Sequence, residues 1–523
     1  MKKMEIFVLC VAMTVAQCLC AHQQAADATS QSADGKTIVI LYENDAHCGI
    51  DGYQRMQGLY DAILNADTCD VGMVCCGDFL QGALAGAISH GQYIIDIMRQ
   101  MSYDALTLGN HEFDYGVPRM RELLADLDVP VTAANFFAVG EDAPMFLPYL
   151  IKRYGNRSVA FVGVTTPESM RSEAYAFFDN DGKKLYDLCA DDTYRLVQQA
   201  VDKARAEGAD YVVVLSHLGE EIRSTGIWSH GLVENTHGID VVLDGHTHAR
   251  IERDSVVNNI GLQVPLTQTG TQFATVGKLT ITPGGRMLTE LIPIDNVPYV
   301  SERVALTTDS VKALIDQVSS RHIAKSPYDL PVKDADGSWI VRRSTAAIGD
   351  LVADAYRAET GAEIGLVNGG SLRNGLPKGK INYGDIISVQ PFDNHVCLIE
   401  ATGEQLLGML QKCTEKCPKA DGSFPHVAGM RYTIDTATHT VSNVEVEEGS
   451  TGRYKPLEPT RRYTVGTNDY YSSGGFYSTL KECRLIEGST KLSRDMLADY
   501  LKHRLKGKLG KRYAKPQGRV TVN

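Results

Sequence analysis

Thr37-Ile38-Val39-Ile40-Leu41-Tyr42 runs directly into Glu43-Asn44-Asp45-Ala46-His47. The first six residues are apolar or β-branched and read as a strand; the polar residues after them read as the loop where that strand ends. The same arrangement recurs along the first half. Val71–Cys76 is followed by Gly77-Asp78, and Ala105–Leu108 by Gly109-Asn110-His111-Glu112-Phe113-Asp114. Tyr211–Leu215 is followed by Ser216-His217-Leu218-Gly219, and Asp240–Leu243 by Asp244-Gly245-His246-Thr247-His248. Further strand-like runs fall at Val129–Ala133 and Val159–Thr165, with helical patterns at Tyr93–Met101, Val117–Leu127 and Thr193–Glu207. Strands alternating with helices predict an α/β domain whose central sheets are covered by helices. In such domains chemistry collects on the loops beyond the strand C-termini.

A single loop histidine is ordinarily a surface or capping residue. Five loops that each present Asp, Asn or His just as a strand ends are a pattern with its structural context attached. Oxygen and imidazole donors without thiolates suit divalent cations such as Zn²⁺, Mn²⁺ or Mg²⁺. Asp45 and His47, two apart, can turn towards one ion, and Asp78 has two oxygens with which to bridge two. Two cations about 3.5–4 Å apart stabilise both the attacking and the leaving oxygen of a displacement at phosphorus.

Asn-Asp-x-His, Gly-Asp, Gly-Asn-His-Glu, Ser-His-Leu-Gly and Gly-His-x-His, in this order, resemble the calcineurin-like metallophosphoesterases. Over Thr37 to Asn523 the chain resembles more narrowly the bacterial 5'-nucleotidase/UDP-sugar hydrolase family. The resemblance implies an α/β fold: a four-layer N-terminal sandwich of two central sheets flanked by helices, and an α+β substrate-binding domain. It implies two divalent metal ions, one held by Asp45, His47, Asp78 and His248, the other by Asp78, Asn110, His217 and His246. Some members carry Gln where this chain has His248. His111 would stabilise transition-state charge or protonate the leaving oxygen, with Asp114 orienting it. A histidine suits either task because its unperturbed pKa lies near neutrality. Glu112 reads as a supporting group, not a ligand.

The second half begins after Ile281-Thr282-Pro283-Gly284-Gly285. Ser301 to Arg321 reads as a helix and Pro327 and Pro331 follow it, so the expected units are a metallophosphoesterase domain at 36–300, a connector at 301–328 and a substrate domain at 329–523. A helix is expected at Ile348–Glu359 and strands at Arg431–Ile434, Val441–Val446 and Tyr463–Thr467. Asn368-Gly369-Gly370-Ser371-Leu372-Arg373 has paired glycines that let backbone approach a ligand and an arginine fork matched to phosphate oxygens; it also reads as a glycine turn before a surface arginine. Beside Tyr383-Gly384-Asp385, Pro391-Phe392 and Thr467-Asn468-Asp469-Tyr470 it resembles the 5'-nucleotidase C-terminal domain, which implies ligand contacts from Asn368 and Arg373. The resemblance points to Arg343 as a further candidate, and to Phe424 and Tyr470 as rings that hold a nucleobase, although both also read as core aromatics. Where relatives often place Asp after the paired glycines, this chain has Phe476.

The chain has 523 residues and a formal charge of −12, which argues against a general nucleic-acid binder but not against a small anionic substrate. Met1 to Lys3, the apolar run Ile6–Ala16 and the small residues to Ala21 form a secretory signal over 1–21; Cys18 or Cys20 offers a lipid anchor as the alternative. No later run reaches the roughly 18 apolar residues of a spanning helix. The expected location is periplasmic, envelope or secreted, and the expected state a monomer or weak dimer. Of the twelve cysteines nine follow the signal, an odd number, and none forms a Cys-x-x-Cys pair. The basic tail Lys502–Arg519 reads as a solvated amphipathic helix before a last strand, Arg519–Val522. The function expected is a two-metal phosphohydrolase of nucleoside 5'-monophosphates, and of UDP-sugars where the family resemblance extends that far. The rivals are a cyclic phosphodiesterase/3'-nucleotidase and a nucleotide-binding envelope protein with incidental hydrolysis.

Overall fold

The computed structural model describes residues 35–179, 182–222, 225–449, 451–475 and 479–523; the signal segment and Phe476 lie outside them. The strand Thr37–Glu43 sits in the middle of a five-stranded sheet. It pairs in parallel with Cys69–Cys75 and antiparallel with Thr275–Ile281. A six-stranded sheet faces it, with Arg157–Thr165, Tyr211–His217, Val241–Asp244 and Gln263–Thr269 running parallel at its centre.

Side-chain alternation builds the layers. Ile38, Ile40 and Tyr42 point between the sheets, against Phe161, Val213, Leu215 and Leu243. Val39 and Leu41 point outward, into a core shared with the helices Ile50–Ala66, Gln92–Met98 and Gly116–Leu127. The second sheet does the same, turning Ala160, Val162 and Val214 towards the helix Thr193–Ala206. Strands buried on both faces are near-continuously apolar, as the opening run is. The result is helix, sheet, sheet, helix. Gly277 lies opposite Tyr42 in the sheet, and a Cβ there would come within 2.2 Å of the ring atom Cε2, so only glycine lets the tyrosine lie flat.

The second unit is α+β. A five-stranded sheet holds Ile364–Asn368, Arg462–Asn468 and His395–Thr402 among its strands, and a four-stranded sheet packs beside it. The helices Ala347–Thr360 and Gly403–Thr414 cover them. Between the units, the helix Glu302–Ser319 buries Val304, Val311 and Ile315 in the first unit's core. Its C-terminal end touches the second unit, where Gly384 closely approaches Ser319.

Three sequence expectations are corrected. Val129–Ala133 forms only isolated bridges, Leu106 to Val131 and Thr132 to Leu147, because Pro130 has no N–H to give a ladder. The strand expected at Ala105–Leu108 ends at Leu106. The basic tail is not a long helix: a wide turn at Tyr500–Arg504 gives way to loops where Gly507 takes a positive φ of 70° and Gly510, Pro516 and Gly518 follow. Among the described residues no helix is long and apolar enough to cross a membrane.

Candidate active site

All five polar loops lie at the same edge of the facing sheets, and hydrogen bonds between them set their course. The Asp45 N–H donates to the Gly77 carbonyl and the His47 N–H to the Asp78 carbonyl, each at 2.9 Å. Glu112 is fully buried. Its carboxylate accepts from the N–H groups of Asp78, Phe79, Leu80 and Gly109 at 2.6–3.1 Å and so shapes two loops at once. Gly109 passes so close to Asp78 that a Cβ would meet its Oδ1 at 2.1 Å.

Asp45, His47, Asp78, His246 and His248 all have positive φ, between 42° and 80°. Left-handed backbone at non-glycine residues is uncommon and costs about 1–3 kcal/mol each, so its concentration in one place marks a functional site.

Imidazole orientation follows from second partners. The His47 Nδ1–H donates to the Gln81 carbonyl at 2.9 Å and the His217 Nδ1–H to the Cys76 carbonyl at 2.6 Å, which turns each Nε2 lone pair inward. His47 Nε2 lies 2.9 Å from His248 Nε2, and 3.6 Å from both Asp45 Oδ1 and Asp78 Oδ2. His248 Nε2 is 3.3 Å from Asp45 Oδ1. On the other side His217 Nε2 is 3.2 Å from Asp78 Oδ2, and His246 Nδ1 is 3.0 Å from Asn110 Oδ1. The seven ligand candidates thus converge, with Asp78 between two groups.

The donor set fits divalent cations. Buried Asp45 Oδ1 and His217 Nε2 have no hydrogen-bond partner, and lone pairs face lone pairs across the cluster. Asp45, His47, Asp78 and His248 place one ligand atom each within 4.8 Å of one another. Burial works against the Asp45 charge, but His217, His248 and His47 hold its carboxyl well below the usual range.

His111 opens a short 3-10 turn beside this cluster. Its N–H donates to Asp78 Oδ1 at 2.8 Å, its Nδ1 meets Asp114 Oδ2 at 2.9 Å, and its ring lies 5.1 Å from that of His47. Burial opposes a charge on His111, yet Asp114 and Asp78 outweigh it and raise the ring to about 10.

The second unit meets this edge. Arg373 stands exposed with its guanidinium 5.7 Å from the Phe392 ring, within electrostatic reach of Asp114. Arg342 stacks on Trp339 at 4.2 Å; burial and the neighbouring Arg373 lower it to about 10, and its Nε has no partner. Two adjacent cations suit an anion. Arg343, in contrast, is turned away and paired with Asp334 and Ser338. Asn368 is buried, its Nδ2 donating to the Gly422 carbonyl at 3.2 Å and its Oδ1 unpartnered. The paired glycines do not serve an open backbone cradle: the Gly369 and Gly370 N–H groups donate to the Phe424 and Gly422 carbonyls at 2.8 Å. Phe424 is 1% exposed and packs edge-on against His426 at 5.4 Å, so the structure encloses its ring instead of presenting a stacking face. Tyr470 is half-buried, within reach of Tyr175, whose hydroxyl donates to the Asp114 carbonyl at 2.8 Å.

Sequence reasoning passed over Arg342, Tyr175, Glu168 and Glu173. The last two follow the strand Arg157–Thr165, and the strand-end rule that found the other loops extends to this one.

Residues 38–250 match the family model of the calcineurin-like phosphoesterases, and residues 332–482 that of the 5'-nucleotidase C-terminal domain. The chain belongs to the calcineurin-like phosphoesterases that carry a 5'-nucleotidase C-terminal domain. This phosphoesterase is 25% identical to the trifunctional nucleotide phosphoesterase protein YfkN of Bacillus subtilis over 92% of its own length, spanning about a third (35%) of that protein. It is 24% identical to a snake venom 5'-nucleotidase of Gloydius brevicauda, covering 94% of this chain and 90% of the relative. The crystal structure of a 5'-nucleotidase precursor from Thermus thermophilus superposes with a TM-score of 0.73 at 25% identity, over 93% of this chain and 99% of that one. Like its family, this phosphoesterase is a metal-dependent phosphoester hydrolase.

Proposed function

We propose that this phosphoesterase binds two divalent ions and releases phosphate from nucleoside 5'-monophosphates outside the cytoplasm, with UDP-sugars as further substrates. Asp45, His47, Asp78 and His248 hold one ion; Asp78, Asn110, His217 and His246 hold the other. Such ions, when bound, neutralise charge at phosphorus and make water more acidic. The chain's own groups do the rest. His111, fixed through Nδ1 by Asp114, offers Nε2 as proton donor to the leaving ester oxygen. Arg373 and Arg342 draw the phosphate-bearing end of the substrate to the seam, and Tyr470 gives the base a flat face there. The observation that carries this reading is Arg373, with Arg342 beside it, standing within electrostatic reach of Asp114, the carboxylate that holds His111.

A second reading is a cyclic phosphodiesterase/3'-nucleotidase, since one relative is named a trifunctional nucleotide phosphoesterase and so acts on more than one kind of nucleotide ester. The location rests on the sequence's signal segment. The test is phosphate release by the purified mature chain with defined metals on AMP, a UDP-sugar, a cyclic nucleotide and a plain sugar phosphate. AMP is expected to lead; a sugar phosphate turned over equally well would overturn the nucleotide reading, and a leading cyclic nucleotide would favour the second.

A further inference from the structure

Beyond the strand Arg157–Thr165 the chain turns through Thr166-Pro167 into a short helix at Ser169–Ser172, and this segment lies against the cluster. Two of its carboxylates contact two of the expected ligands. Glu168 Oε2 is 3.1 Å from His246 Nε2. Glu173 Oε1 is 3.4 Å from Asn110 Nδ2, while the Ser172 hydroxyl donates to the other oxygen, Oε2, at 2.5 Å. Glu173 is buried, as are Asn110 and the side chain of His246.

The consequence lies in which atoms are left over. A carboxylate can only accept, so His246 gives its Nε2–H to Glu168 and keeps a lone pair on Nδ1. Asn110 gives an amide N–H to Glu173, which sends its Oδ1 the other way. Those two leftover atoms, His246 Nδ1 and Asn110 Oδ1, meet at 3.0 Å. Two acceptors at that distance repel unless a cation lies against both. For His47 and His217 backbone carbonyls perform the same task, so within the second ion's set the chain uses a carbonyl for His217 and carboxylates for His246 and Asn110. A carboxylate that accepts from the far nitrogen of an imidazole also raises that ligand's basicity.

We propose that Glu168 and Glu173 are positioning residues that aim His246 Nδ1 and Asn110 Oδ1 at the second ion. The proposal rests on the dinuclear reading above. Neither residue touches substrate; each acts through the ligand it holds.

The experiment titrates Zn²⁺ into metal-depleted full-length mature chain and counts tight equivalents by mass spectrometry of the metal. The wild type is expected to bind two. Glu168→Ala and Glu173→Ala are expected to keep one tight ion and to bind the second about ten- to a hundredfold more weakly. Glu168→Gln and Glu173→Gln retain an acceptor oxygen and are expected to recover part of that affinity. Circular dichroism confirms that each variant is folded. Two wild-type-like ions in both alanine variants would overturn the proposal, as would glutamine variants no better than alanine. A wild type that binds a single ion would instead refute the dinuclear reading.

Discussion

At the scale of single residues, His111 and the arginines separate chemistry from binding. General acid catalysis contributes about 10²–10⁴-fold, and His111 holds its place through Asp114 without an expected bond to metal. His111→Ala should therefore lower kcat by roughly that factor with metal content unchanged; steady-state kinetics with metal analysis of the same sample checks it, and equal loss of metal would refute it. Arg342 and Arg343 are neighbours with opposite fates, one stacked on Trp339 beside Arg373, the other tied to Asp334. A hydrogen bond to a charged group is worth about 1.5–3 kcal/mol, so Arg342→Ala should raise KM for AMP roughly ten- to hundredfold. Arg343→Ala should leave KM within about twofold, because its guanidinium is taken up by a half-buried pair with Asp334 that is turned away from Arg373. Reversed KM effects would place the wrong arginine at the phosphate. This distinction was not legible in the sequence. A one-residue step around the turn Ile340–Arg342 decides which guanidinium faces Arg373, and tertiary contacts set that step.

Among the elements, the strand Pro425–Ala428 and the helix Ala347–Thr360 carry a built-in acid sensitivity. They approach closely because Gly349 has no side chain; a Cβ there would meet His426 Nδ1 at 2.2 Å. His426 Nε2–H donates to the Val341 carbonyl at 2.8 Å and Nδ1 has no partner. Burial, aided by Arg519, lowers this ring from its ordinary 6.5 to about 4. The folded chain thus refuses a proton that the unfolded chain accepts. Stability is whole above about 6.5 and falls as pH drops towards about 4, by about 3 kcal/mol from this group. His426→Gln should flatten that part of the profile, measured as the difference between variant and wild-type urea midpoints at pH 7 and pH 4.5; parallel losses would exclude His426. At this scale the sequence was informative wherever a signal was local. Apolar alternation and the residue types after each strand located the strands and the converging loops. The signal failed where long-range packing decides, as for Phe424, whose enclosure depends on the sheet and helix around it. It failed also where Pro130 or the tail glycines broke a pattern that composition alone favoured.

For the whole molecule, the relation between the two units decides whether Arg373 stands opposite His111. A contact between a histidine and a carboxylate crosses the seam near that point. His90, at the end of the helix Leu84–Ser89, places Nε2 2.9 Å from Asp393 Oδ2 and stacks on Tyr115 at 5.3 Å. Asp393 in turn holds the buried Arg494 at 2.5 Å, and Arg494 reaches the carbonyl of Phe392, over whose ring Arg373 sits. A contact on the first unit is therefore linked to the loop that carries the substrate arginine. Removing Asp393 would strand Arg494 without its partner and disturb the second unit itself. His90→Ala is the cleaner change, since Asp393 keeps Arg494. The His90 side chain is half exposed, so the pair is worth about 1 kcal/mol or less. Its loss would weaken the attachment of the two units at this point by up to roughly fivefold. The expected outcome is a larger radius of gyration by small-angle scattering and a higher KM for AMP, with metal content and circular dichroism unchanged. Identical scattering and identical KM would mean that packing of the helix Tyr383–Val389 on the connector helix Glu302–Ser319 and on the helix Leu84–Ser89 sets the angle between the units.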